Sequence, residues 1–163
     1  MKGIGKTIPR RRKQSKTDYK SRVGLIKSDS ARLVVRRSNR FVLAQIVLSD
    51  GAQDRIICQA SSKELLAHGW PKEFEGSLKG LPAAYLTGML IASKAKKNNV
   101  KKAILDIGMQ RSALGGRIYA VLKGAVDFGL EIPHGKNAVP DEKRLSSVKE
   151  THALINSIRG KIK

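Results

Sequence analysis

The leader GKTIPRRRKQSKTDYKSR, residues 5–22, has no apolar run that could enter a hydrophobic core. Residues 1–27 hold ten Lys or Arg against one acidic residue, Asp18, a local net charge of +9. Close to half of the chain's net +20 therefore sits in about a sixth of its 163 residues. No apolar period of 2 or 3.6 runs through the segment, and Pro9 argues against an early helix. Residues 1–21 thus read as an extended arm with no core of its own. The stretch DYKSRVGLIKS, 18–28, suits one or two helical turns leading into the body. Any packed structure has to be made from residues C-terminal to this leader.

That structure begins near Arg32. RLVVRR (32–37) and FVLAQIVL (41–48) are β-branched and apolar, and Ser38-Asn39-Arg40 between them predicts a tight hairpin. A second turn around Asp50-Gly51 leads to RIICQAS (55–61), so residues 32–61 read as an antiparallel meander. Both faces of the second strand are mostly apolar, which predicts a central strand covered on both sides. SSKELLAHG (61–69) carries a Ser cap and a Gly stop for a short helix, and WPKEFEGSLKG (70–80) is a connecting loop with Trp70 folded back onto the body.

Leu81 to about Asn98 is the strongest helix, with Pro82 in its first turn and Lys94, Lys96 and Lys97 in its last. KKAILDIG (101–108) reads as a fourth, buried strand and MQRSALGG (109–116) as a loop. The span 116–128 shows a helical stripe of Ile118, Val121, Leu122, Ala125 and Phe128. LEIPHG suits a short final strand, AVPDEKRL a capped turn, and Val148, His152, Ile155 and Ile158 a narrow stripe on a C-terminal helix. The order βββ-α-β-α predicts an α/β domain of three layers with a mixed sheet. The division is a basic arm over 1–28, a globular domain over 29–135 and a helical extension over 136–163.

A charge of this size repels itself unless a polyanion neutralises it. Nucleic acid and an anionic membrane are the two candidates. The longest apolar stretch, LPAAYLTGMLIA (81–92), is twelve residues, where a span needs about 20. No helix pattern sets a basic face against large apolar groups, so a membrane partner is not expected. Aromatic residues make up only 4%, which disfavours a binding mode that stacks many bases. The single cysteine, Cys58, excludes an internal disulfide and suits a reducing, cytoplasmic setting.

Three basic clusters are candidates for an RNA contact. A thin unstructured arm can thread between RNA helices, and each phosphate it neutralises releases a counterion. Tyr19 adds one stacking surface, while Thr17 and Asp18 equally suit a cap on the following turn. Arg36, Arg37, Asn39 and Arg40 lie at the hairpin end, with Arg36 and Arg37 on opposite faces of their strand. Arg111, Ser112, Gly115, Gly116 and Arg117 precede a helix, where free N–H groups attract phosphate and the glycines equally serve a turn. His68 and His152 read as packed structural residues, while His134, in a loop, is open to RNA. No metal constellation is visible, and Asp50, Glu64, Asp106 and Asp127 lack the spacing of a clustered-carboxylate nuclease, so catalysis is not expected.

Taken in order, GKTIPRRRKQSKTDYKSR, RLVVRRSNRFVLAQIV, AAYLTGMLIASKA, AILDIG, LKGAVDFGLEIPHG and PDEKR closely resemble a known family. It is the universal large-subunit ribosomal protein L18 family in its archaeal form, related to eukaryotic ribosomal protein L5. The resemblance covers roughly residues 5–160. It implies a ribonuclease-H-like sheet and a structural, non-enzymatic role without cofactors. It also implies binding to 5S ribosomal RNA, its attachment to the large-subunit (23S-type) RNA in the central protuberance, and a neighbouring 5S-binding protein of the L5 family. The family's arm runs along 5S RNA, and the matching positions here are Arg10, Arg11, Arg12, Lys13, Lys16, Thr17, Tyr19, Lys20 and Arg22.

Overall fold

The computed structural model describes residues 7–50, 53–135, 137–145, 155 and 157–161. Strands β1 (Arg32–Arg37), β2 (Val42–Asp50) and β3 (Gln53–Ser61) form the expected antiparallel meander. A fourth strand, β4 (Ile104–Asp106), returns parallel to β1 on its free side, so the sheet is mixed, in the order β3-β2-β1-β4. Alternation decides which side chains reach the core. Leu33, Val35, Val42, Ala44, Ile46 and Ala60 are buried on one face.

Helices α1 (Arg10–Lys13) and α2 (Tyr19–Ile26) lie in the leader; α3 (Leu81–Lys97), α4 (Arg117–Asp127) and α5 (Glu142–Leu145) come after the meander. The pair α3 and α4 packs side by side over the buried face. Gly88 and Gly124 allow this close approach: a Cβ on Gly88 would overlap the Val121 carbonyl, and one on Gly124 the Tyr85 carbonyl. The helix pair buries Leu86, Met89, Ile91, Val121 and Leu122 completely or nearly so.

On the outer face of the sheet Arg32 on β1 and Val47 on β2 are 2% and 5% exposed and Arg22 of α2 pairs with Asp54, while Leu43 and Gln45 are half-buried and Gln59 is exposed, so β2 is central and its outer face is covered at one end. Two expectations change. The leader is not uniformly extended. Pro9 is the N-cap of α1 at φ −52°, a place where its fixed φ suits the turn and its missing N–H costs nothing. The final strand is reduced to one bridge between Lys102 and Glu131.

Elsewhere the outcome matches. Asp18 caps α2. Ser61 and Glu64 form a capping box, but on a 3₁₀ segment, Ser62–Leu66. The 70–80 connection also contains a 3₁₀ segment, Lys72–Ser77. Trp70 folds inward, 4% exposed, and its indole N–H donates to the Phe74 carbonyl at 3.0 Å. Of the C-terminal stripe, Ile155 and Ile158 are buried, while Val148 and His152 lie outside the described residues.

Candidate nucleic-acid interface

The leader presents its charge outward. Arg10, Arg11, Arg12, Lys13, Lys16 and Lys20 are all exposed, and neither α1 nor α2 buries a residue. Arg11 Nε donates to Thr17 Oγ1 at 2.8 Å, so Thr17 braces the arm from within. Asp18 accepts from the backbone N–H of Lys20 and Ser21 and from the Ser21 hydroxyl. Those hydrogen bonds hold its carboxyl below the ordinary value, the Ser21 side chain contributing most. Asp18 is therefore a cap for α2. Tyr19 is 38% exposed at the first position of that helix.

Arg22 is different. Its guanidinium pairs with Asp54 on β3 at 2.8 Å and ties the leader to the outer face of the sheet. Asp54 also accepts from Arg32 at 2.7 Å and from Ser49 at 2.9 Å. Burial raises the Asp54 carboxyl, but the hydrogen bonds from Arg22, Ser49 and Arg32 outweigh it and leave the pKa below its ordinary value. Arg32 is 2% exposed and meets Asp106 on β4 at 2.8 Å. Asp106 in turn accepts from Arg36 at 3.3 Å and from the Gly108 N–H at 2.9 Å. Arg22, Arg32 and Arg36 thus share two carboxylates, Asp54 and Asp106, in one network across the sheet.

Arg36 and Arg37 do point to opposite faces. Arg36 joins that network, while Arg37 and Asn39 line a groove with Lys79, Gln110 and Arg117. The turn is held by Ser38, whose Oγ accepts from the Phe41 and Arg40 backbone N–H groups at 2.9 and 3.2 Å. Arg40 is exposed at its tip and is not part of the groove lining. Arg111 and Arg117 line an adjoining cleft with Arg37, Lys79 and Arg144. The hairpin cluster and the loop cluster, separate in sequence, therefore meet on one surface through Arg37.

Sequence reasoning misses Lys79 and Arg144 at this surface. Lys79 has a readable signal, since it precedes the helix start Gly80-Leu81-Pro82 just as the Arg111 cluster precedes α4. Arg144 reaches the surface only because α5 folds back over Gly115. His134 is exposed, with its Nδ1 2.7 Å from the Ile132 carbonyl oxygen, and His68 is half-buried. Cys58 is half-buried, and desolvation pushes its thiol pKa up, which suits a packing residue. Among the described residues no group of three or more His, Cys, Asp or Glu side chains could hold a metal ion, and no helix is long and apolar enough to cross a membrane.

Comparison with known proteins points the same way. The family described as "Ribosomal large subunit proteins 60S L5, and 50S L18" matches residues 6–102 and 93–135. A large ribosomal subunit protein uL18 from Korarchaeum cryptofilum is 50% identical over 136 residues, 83% of this chain and 68% of the relative. The uL18 proteins of Methanoregula boonei and Methanococcus maripaludis are each 47% identical, covering 83% and 84% of this chain and 76% and 69% of their own. The family is one of structural ribosomal proteins, not enzymes. On the extent and identity of these matches, the chain belongs to the L5/L18 family of large-subunit ribosomal proteins.

Proposed function

We propose that this protein is a structural constituent of the large subunit of cytoplasmic ribosomes that binds 5S RNA and fastens it to the large-subunit RNA in the central protuberance. A 5S-binding ribosomal protein of the L5 family is its expected neighbour. The carrying observation is the separation of charge. Six exposed cations of the leader, from Arg10 to Lys20, form no ion pair among the described residues, while Arg22, Arg32 and Arg36 are paired on the sheet. An unopposed cationic arm is suited to phosphate, and the hairpin's Arg37, Asn39 and Arg40 with Arg111 and Arg117 supply a second contact.

In this reading Arg22 and Arg36 position the arm, and the body acts as a bracket between RNA segments. The strand order, with three antiparallel strands and a parallel return beside the first, supports a ribonuclease-H-like fold. It does not favour nuclease chemistry, because Asp106 is already committed to two arginines. The test is competition: labelled 5S RNA is bound at physiological salt and challenged with a large excess of unrelated duplex. Retention of the RNA is expected. Displacement in proportion to added phosphate would reduce the protein to a general polyanion binder.

A further inference from the structure

We infer that the C-terminal ends of α3 and α4 dock an acidic peptide segment of a neighbouring protein, which seats one large apolar side chain between the two helix ends. The inference goes beyond the RNA-binding reading and does not depend on it. Both helices stop in the same way. After α3 the Val100 N–H donates to the Ala95 carbonyl at 3.0 Å, with Asn99 at φ 58° between them. After α4 the Leu130 N–H donates to the Ala125 carbonyl at 3.0 Å, with Gly129 at φ 109°. Such a stop satisfies the last carbonyls and folds the next apolar residue back against its helix. Two stops side by side leave a hollow of about 360 Å³, floored by Ala92, Val100, Phe128 and Leu130 and flanked by Lys96 and Lys101.

The chemistry of this hollow differs from that of the hairpin side. α3 has 17 residues, so its two ends stand about 25 Å apart, and the groove of Arg37, Lys79 and Arg117 lies at the far one. The cations here are lysines. Lys96 and Lys101 are exposed and form no ion pair among the described residues, and no acidic side chain lines the hollow. Carboxylates complement those two tips. The floor asks for something else: Val100 and Phe128 are only partly buried and pack against the core from one side. A nucleic-acid strand fits poorly, because its phosphates would face the negative dipole ends of two helices over an apolar floor. A peptide places an apolar side chain on the floor and its carboxylates at the lysine tips, beyond the helix ends. An apolar anchor inside a polar rim is the arrangement that holds protein interfaces together. A Cβ on Gly129 would meet nothing within 4 Å, so a partner backbone can come close to the end of α4.

The experiment titrates isotope-labelled full-length protein with the peptide acetyl-Asp-Glu-Leu-Phe-Asp-Glu-amide and follows backbone amide signals. A net charge of +20 lets the leader attract any acidic peptide, so the position of the shifts is what assigns the site. The amides of Asn99, Lys101, Gly129 and Leu130 are expected to move. The same peptide with Gly-Gly in place of Leu-Phe should bind there at least about tenfold more weakly, the loss expected for one buried Leu or Phe side chain. Lys96→Gln/Lys101→Gln changes two exposed side chains and should weaken binding at this end about three- to tenfold, while amides away from the hollow report that the fold is kept. Helix-end amides that stay still while leader amides move would overturn the dock. So would equal binding of the Gly-Gly peptide at this end, or undiminished binding by the double variant. Larger shifts at the same amides from hexauridylate would also overturn it, by making the hollow a nucleic-acid contact. Retention of 5S RNA, measured in parallel, tests the other reading: a silent hollow with 5S RNA firmly held sinks the dock alone.

Discussion

Replacing Arg10, Arg11, Arg12, Lys13, Lys16 and Lys20 together with Gln should leave the body folded and sharply reduce the salt dependence of RNA binding. The folding half of this rests on burial, since α1 and α2 bury no side chain. The binding half can be worked from counterion release. Each phosphate contact contributes about 0.7 to the slope of log K against log salt on a single strand and about 0.9 on a duplex. If all six exposed cations sit on phosphate, the slope falls by about 4 to 5. Between 50 and 200 mM salt, a fourfold change, those contacts account for a loss of about 300- to 2,000-fold in affinity, which the variant should not show. Filter binding of labelled 5S RNA across that salt range measures both slopes, and circular dichroism checks the fold. A slope that drops by less than about 1 would mean that at most one of the six touches phosphate, and the arm would not be the principal contact.

Two further outcomes test the body. Asp106→Asn leaves Arg32, 2% exposed, with its buried charge half-compensated, and should cost about 3–5 kcal/mol. Denaturant midpoints measure this, and Arg32→Met/Asp106→Leu should recover most of the loss; equal instability of the double variant would show that packing, not unpaired charge, is at fault. Gly124→Ala forces a methyl against the Tyr85 carbonyl and should cost about 2 kcal/mol or more, lowering the melting temperature by about 4–8 °C. An unchanged melting temperature would mean that α3 and α4 separate freely, contrary to the close packing described.

How much of this is legible in the sequence depends on how local the cause is. RLVVRR marks β1 with its bounds intact, because alternation and β-branching act within the strand itself. The Asp18 cap and the Ser61–Glu64 box are legible for the same reason. Pro9 misleads, since a residue that breaks a helix interior is compatible with a helix start, and only the turn's position distinguishes them. Arg32 is invisible. In sequence it is one more arginine, and its burial depends on Asp54 and Asp106, 22 and 74 positions away. The basic cleft is half-legible: Arg111, Arg117 and the hairpin stand out singly, but their meeting through Arg37 is a property of topology. Lys79 joins them through a further loop and Arg144 through α5.

The distribution of carboxylates explains why one chain can carry so much positive charge and still fold. Asp54 and Asp106 serve Arg22, Arg32 and Arg36; Glu64 pairs with Lys94, and Glu131 with Lys102. Glu131 and Lys102 are exposed, but Asp54 and Asp106 stand where a cation is buried or where the leader joins the sheet. There an unpaired charge would be most costly, because little water remains to screen it. Arg10 to Lys20, Arg37, Lys79 and Arg111 lie exposed, where water and salt tolerate them singly. What they suffer is mutual repulsion, which RNA relieves in the proposed function: a ligand that binds only the folded form adds about 4 kcal/mol of stability at a thousand times its Kd. In the proposed function, folding and RNA recognition therefore use different cations. A substitution in the leader can weaken binding without touching the sheet, and one at Asp106 can unfold the sheet without removing a cation from the leader.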